Sequence, residues 1–314
     1  MSEPRAARAG AVLVLGCGFF GQVLAQRLAF RGIPVIGTAR GEPQIGIIRT
    51  RGAEAVRFDA REGPAALGAI ARLSGRVRAV VMSIPPDAAA PALDAELVAL
   101  LAGFGLETAV YISSTSVYGD HAGAVVTETT PCTPDSPKAR LRVASEAAWR
   151  AAPFPVGVVR PSGIYGPGRS LLHRMAQRTY RVVDVPAGSP EPLTNRVHVA
   201  DLASIVQAAL KPRPAGNDAP VYLATDQTPA TQREVTAWVV AELGLPEPAH
   251  LSLAEARVRM DKDQLAMAVQ SKRLDPMWTL STLGVTLKYP SFREGFRDLW
   301  DKERSSLTPA PVAG

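Results

Sequence analysis

The sequence predicts an α/β protein: a doubly wound parallel sheet with a smaller C-terminal α/β lobe interleaved with it. Three observations carry this. Short β-branched runs alternate with amphipathic stretches through the first half of the 314-residue chain. Such strand–helix alternation is the pattern of parallel crossovers. The strand candidates are apolar along their whole length, as strands covered by helices on both faces are. After about residue 165 the alternation loosens and proline- and glycine-rich joints appear, "DVPAGSPEPLTN" and "KPRPAGND".

The elements follow in order. "AVLVLG" (11–16) reads as a strand, and "FFGQVLAQRLAFRG" repeats apolar residues at spacings of three and four, a helix. "IPVIGTAR" (33–40) and "AVRFDA" (55–60) are strands two and three. "VRAVVMSIPP" (77–86) is strand four, ended by Pro-Pro, and "ALDAELVALLAGFG" is a helix closed by glycine. "ETAVYISSTS" (107–116) is strand five, residues 137–151 a helix, and "FPVGVVRPSG" (154–163) strand six. Further helices are expected near 201–210, 231–243 and 291–300. The dinucleotide-binding domain is expected over 10–165, completed by parts of 195–225. The substrate lobe takes most of 166–305, and 306–314 is expected to be a disordered tail.

Composition excludes several classes. Thirty-five Lys and Arg against 29 Asp and Glu leave a net charge of +6. The arginines are scattered, with no block of the kind that tracks phosphates, so nucleic acid is not an expected partner. No apolar run approaches the roughly 18 residues of a membrane helix. The first apolar run ends in a glycine loop, so it reads as a strand rather than a signal peptide. Cys17 and Cys132 are far apart and have no metal-ligand spacing; a cytoplasmic location with no metal is expected.

The loop "LGCGFFGQ" holds Gly16, Gly18 and Gly21 as G-x-G-x-x-G at the first strand–helix junction. The first glycine permits the tight turn, the second lets backbone approach a pyrophosphate, and the third packs helix on strand. The helix N-terminus then offers N–H groups and a positive dipole. In this βαβ context the loop predicts a Rossmann dinucleotide site. Cys17 reads as a space-filler. At the end of strand two, Thr38 and Arg40 stand where an acid would bind the ribose 2′-hydroxyl of NAD. Arginine there can hold a 2′-phosphate, which favours NADP and leaves NAD possible. Asp59, ending strand three, is either an adenine contact or a turn-former.

Together "GCGFFG", "SIPP", "YISSTSVYGD", "RPSGIYGPGR", "NRVHVADLA" and "SKRLDPMWTLSTLG" resemble the extended short-chain dehydrogenase/reductase superfamily, the NAD-dependent epimerase/dehydratase group. Leu15 stands where the extended loop has glycine, and with "KYPSFREGF" this resembles the atypical branch. The resemblance implies cofactor contacts also from Phe19, Phe20, Ser83, Pro85, Arg142 and Pro161, a small-molecule substrate, and a homodimer through a two-helix face. It implies that Ser114 holds the substrate oxygen, with Thr115 and Ser116 beside it.

The family helix reads S-P-Y-x-x-x-K-x-x-x-E, whereas this chain reads "SPKARLRVASE". Lys138 therefore occupies the catalytic tyrosine slot and Arg142 the lysine slot. Lys138 would polarise a carbonyl, or act as acid or base if desolvated; otherwise both are surface charges. Tyr165, Tyr118 and His198 are the other proton-transfer candidates, each with a structural alternative. Asp201 reads as a helix N-cap. Lys272 and Arg273 either meet an anionic group or are a surface pair. The expected function is an NAD(P)-dependent oxidoreductase or epimerase on a small carbonyl or hydroxyl compound, sugar-derived compounds included. The alternative is a redox-inactive NADP-binding sensor or scaffold.

Overall fold

The computed structural model describes residues 10–212 and 219–307. Its centre is a seven-stranded sheet. In chain order it uses β1 (Ala11–Leu15), β2 (Val35–Ala39), β3 (Glu54–Arg57), β4 (Val77–Met82), β5 (Thr108–Ile112) and then the strands Val156–Pro161 and Val221–Ala224. The spatial order is Val221–Ala224, Val156–Pro161, β5, β4, β1, β2, β3. Pairing is parallel from β3 across to Val156–Pro161, with Val14 opposite Gly37, Leu13 opposite Val80 and Tyr111 opposite Val158. The strand order reverses at β1, whose neighbours are β2 and β4. That is the switch point at which doubly wound sheets bind ligands.

The helices between these strands are α1 (Phe19–Phe30), α2 (Glu42–Thr50), α3 (Pro64–Ala71), α4 (Leu93–Leu101) and α5 (Pro137–Arg150). All five residues of β1 are buried, as are five of six in β4, because helices cover the sheet. The strands stop earlier than the sequence reading placed them. β4 ends at Met82, since Pro85 and Pro86 have no N–H for a ladder. β3 ends at Arg57, which leaves Asp59 beyond the sheet. The short helices α2 and α3 were not foreseen. Both carry proline in the first turn and an internal glycine, which blur the apolar period.

The chain divides into two compact units. The first holds the described residues up to Ser114, Arg140–Arg160, and those between Ala203 and Tyr222. The second holds Thr115–Ala139, Pro161–Leu202 and the described residues from Leu223. Residues 115–139, expected with the dinucleotide-binding part, fall in the second unit. There Val125–Val126 pairs with Arg273–Leu274, and His121 and Gly123 donate backbone N–H to Ser271. The second unit packs Tyr165, Leu172, Met175, Val235, Val239, Phe292, Phe296 and Leu299 into its own core. Reciprocal capping boxes, Thr231 with Glu234 and Ser252 with Glu255, start two of its helices. Its last helix, Phe292–Leu307, runs into the expected tail and ends on the fully buried Leu307. Residues 308–314, and 213–218 of the "KPRPAGND" joint, lie outside the described residues.

Candidate dinucleotide site and its neighbours

The glycine loop follows β1 in the first unit. Gly16 has φ +81°, and a Cβ there would sit 2.7 Å from the Ile84 side chain and 2.9 Å from its backbone N. Glycine is required twice over, by conformation and by contact. A Cβ on Gly21 would press Val14 and the Gly16 carbonyl, at 3.1 and 3.2 Å, so Gly21 sets the close approach of α1 to β1. At Gly18 a Cβ would meet nothing within 4 Å. Gly18 is exposed and begins α1 with no side-chain cap and no acid in the first turn. This backbone is open to an approaching group, and the helix start carries no competing carboxylate. These residues fit a pyrophosphate. Phe19 is half-buried and Phe20 buried, so Phe20 anchors the helix start.

Thr38 is not poised for a ribose. It is buried, and its hydroxyl accepts the Gly16 N–H at 2.9 Å while its carbonyl accepts the Cys17 N–H at 2.8 Å. Its work is to hold the loop. Cys17 is buried against Gly37, and desolvation pushes its thiol up to about 12, so it fills space. Arg40 is exposed at the end of β2. Ser83 donates its N–H to Leu15, and Ile84 touches Gly16, so the segment containing Ser83 and Pro85 lies against the loop. Asp59 takes its turn-forming alternative. It caps the turn Ala60–Glu62 and is paired in two places with the Arg61 guanidinium, which holds its carboxyl well below the usual range.

Further along the same strand edge, Ser114 follows β5 and is half-buried. Arg142 is no solvated surface charge. Its guanidinium donates to the Ile112 carbonyl at 3.0 Å and reaches the Tyr111 hydroxyl at 3.5 Å. One helical turn on, Glu146 accepts from Ser113 and, through both oxygens, from Arg160 at 3.0 and 2.6 Å. Both side chains of that ion pair are only 5% exposed. α5 is thus tied to the end of β5 at two successive turns. Pro161 closes the next strand and is buried.

The remaining catalytic candidates belong to the second unit. Lys138 is 79% exposed and ion-paired with Asp263, which raises its pKa. That is opposite to what acid–base work at neutral pH demands. Tyr165 is buried between His198 and Phe296, with its hydroxyl directed at Gly295 in the last helix. Desolvation drives its pKa upward, and its ring packs in the core of the second unit. His198 is the hydrogen-bonded alternative: its Nδ1 accepts the Ala200 N–H at 3.2 Å, and burial lowers its pKa to about 4. Tyr118 is fully buried. Asp201 is no N-cap. Its helix begins at Val199, and its carboxylate accepts the N–H groups of Lys288 and Tyr289. Lys272 is buried, where burial lowers its pKa, and donates to the Gly119 carbonyl at 2.5 Å; Arg273 stays exposed. Among the described residues no group of three or more His, Cys, Asp and Glu could hold a metal, and no helix is long and apolar enough to cross a membrane.

Residues 12–223 match the model of the NAD dependent epimerase/dehydratase family. The chain belongs to that epimerase/dehydratase family. The resemblance of its motifs is borne out, and so is the doubly wound fold. A solved structure of a conserved protein of unknown function from Silicibacter pomeroyi DSS is 32% identical, with a TM-score of 0.78 over 93% of this chain and 99% of that one. The human epimerase family protein SDR39U1 (isoform 2), solved with NADPH, is 20% identical, with a TM-score of 0.70 over 93% and 99%. The UDP-glucuronic acid 4-epimerase from Bacillus cereus, solved with NAD, is 18% identical, with a TM-score of 0.71 over 95% and 100%. No curated protein matches the sequence.

Sequence reasoning gave Arg61, Ser113 and Arg160 no part in this epimerase/dehydratase chain, and Glu146 only a place in the helix pattern. Arg61 and the Ser113–Glu146–Arg160 network surround the expected site residues. Only Glu146 had a signal, its spacing within "SPKARLRVASE".

Proposed function

We propose that the protein is an NADP-dependent oxidoreductase or epimerase-like enzyme, able to use NAD, that acts on a small carbonyl or hydroxyl compound such as a sugar derivative. The observation that carries this is the Gly16–Gly18–Gly21 loop, whose open backbone at Gly18 and uncapped helix start suit a pyrophosphate. The nicotinamide cofactor supplies hydride exchange when bound. In this reading Gly18 and the first turn of α1 bind the phosphates, and Arg40 meets the 2′-phosphate. Ser114 donates a hydrogen bond to the substrate oxygen. Arg142, fixed on the Ile112 carbonyl, supplies a permanent positive charge where the family pattern has lysine. The family membership and the nucleotide complexes of the human and B. cereus proteins support the cofactor class.

A second reading is favoured by one observation. The residue in the tyrosine slot, Lys138, is exposed and ion-paired. A redox-inactive NADP-binding sensor needs no proton-transfer group there. Titration separates the readings in two steps. NADPH is expected to bind more tightly than NADH, and Arg40→Ala to reduce that preference. NADPH consumption against a panel of sugar and carbonyl compounds is then expected, and Ser114→Ala is expected to abolish it with cofactor binding intact. Binding without turnover across the panel supports the sensor.

A further inference from the structure

The ends of β2 and β3 carry an arginine that is presented rather than merely exposed. The Asp59 carboxylate accepts the Arg61 backbone N–H at 3.1 Å, its Nε at 3.0 Å and its Nη2 at 2.6 Å. The carboxylate side chain is 9% exposed and the guanidinium side chain 63%. The acid is therefore fixed in the turn and holds the fork outward. Two of the five guanidinium N–H groups are used, and Nη1 has no partner among the described residues. Arg40 lies beside this turn. Ala39 is in register with Arg57, and the Phe58 N–H donates to the Ala39 carbonyl at 2.9 Å. The two chain segments leave neighbouring strands roughly 4.8 Å apart.

We propose that Arg61 is a second determinant of cofactor choice, binding the 2′-phosphate of NADP together with Arg40, with Asp59 as its positioning residue. This rests on dinucleotide binding at the glycine loop. Net charge does not single these two out, because Glu42, Glu62 and Asp87 also lie near. Unspent donors do. Arg57, the third cation of this edge, spends both of its terminal nitrogens, Nη1 and Nη2, on Glu62, whereas Arg61 turns Nε and Nη2 to Asp59 and keeps Nη1. A phosphate dianion accepts from two forked guanidiniums at once, whereas the 2′-hydroxyl of NAD offers no charge to them. Because Asp59 has already ordered the Arg61 side chain, little rotamer freedom is lost on binding. The same pairing engages Asp59 and takes it out of the adenine-contact role.

The test uses the full chain and titrates NADPH and NADH separately, with 2′,5′-ADP and 5′-AMP as competitors. Arg61→Ala is expected to weaken NADPH and 2′,5′-ADP by about tenfold, the size of one charge-assisted hydrogen bond. NADH and 5′-AMP should be unchanged. Arg61→Lys keeps the charge without the fork and should recover only part of the loss. Asp59→Asn removes a negative charge, so simple electrostatics predicts tighter NADPH; positioning predicts weaker NADPH. An unchanged NADPH/NADH ratio in Arg61→Ala overturns the proposal, and tighter NADPH in Asp59→Asn overturns the positioning role. Wild-type protein that binds neither nucleotide overturns dinucleotide binding itself. Wild type with equal affinity for both overturns 2′-phosphate selection as a whole.

Discussion

Lys138 and Arg142 stand one helical turn apart on α5 and have different fates. Arg142 is drawn onto the Ile112 carbonyl, at the end of the strand that leads to Ser114. Lys138 extends into solvent and pairs with Asp263. An exposed pair of this kind is screened and gains little, so Lys138→Ala is expected to leave the thermal midpoint and NADPH affinity unchanged. A shifted midpoint in a melting curve, or lost affinity in a titration, would restore a role for it. The sequence assigned both residues to slots of the family pattern but could not rank them. Which of two cations is drawn onto the strand depends on what lies across from each, and Asp263 is 125 residues away in the chain. Asp59 shows the same limit: its partner Arg61 is two residues on, and only the turn geometry shows that it takes up the carboxylate.

The element that organises the strand edge is α5. Its ties to β5, Arg142 to Ile112 and Glu146 to Ser113, lie four residues apart on one face of the helix. Glu146 also neutralises Arg160 inside the protein. Glu146→Ala would leave a buried guanidinium unpaired, which costs about 3–5 kcal/mol. The expected result is a correspondingly lower denaturation midpoint, whereas replacing both partners with apolar residues should cost less than either single change. A Glu146→Ala midpoint equal to wild type would contradict the buried pair. The long strands and helices were readable from apolar period alone. α2 and α3 were not, because nine- and eight-residue helices with proline starts show too few turns for a period to stand out.

At the scale of the whole molecule, the interior of the second unit sets a pH response. Asp226 is buried and desolvation raises its pKa to about 7, while His198 is lowered to about 4. The signs oppose. Native Asp226 binds more protons than the unfolded chain between about 4 and 7, so its contribution is lost as pH rises through that window. Native His198 binds fewer protons than the unfolded chain between about 4 and 6.5, so its contribution is lost as pH falls through that window. The two offset each other in the wild type. Asp226→Asn removes one side, and its thermal midpoint is expected to rise from pH 4.5 to pH 7.5 relative to the wild type. Parallel midpoint–pH curves for the two proteins would refute the raised Asp226.

The sequence by itself determined the doubly wound sheet, the glycine loop and the family. Each depends on local period or on a motif within one strand–turn–helix unit, where neighbours in the chain are neighbours in space. Only the tertiary structure decided that Tyr165 is core, that Thr38 holds the loop, that residues 115–139 join the second unit, and that Lys272 is buried. Those outcomes turn on burial and on partners far away in the chain, such as Gly119 for Lys272, 153 residues apart. Desolvation and hydrogen-bond satisfaction are properties of the packed chain, and residue spacing does not carry them.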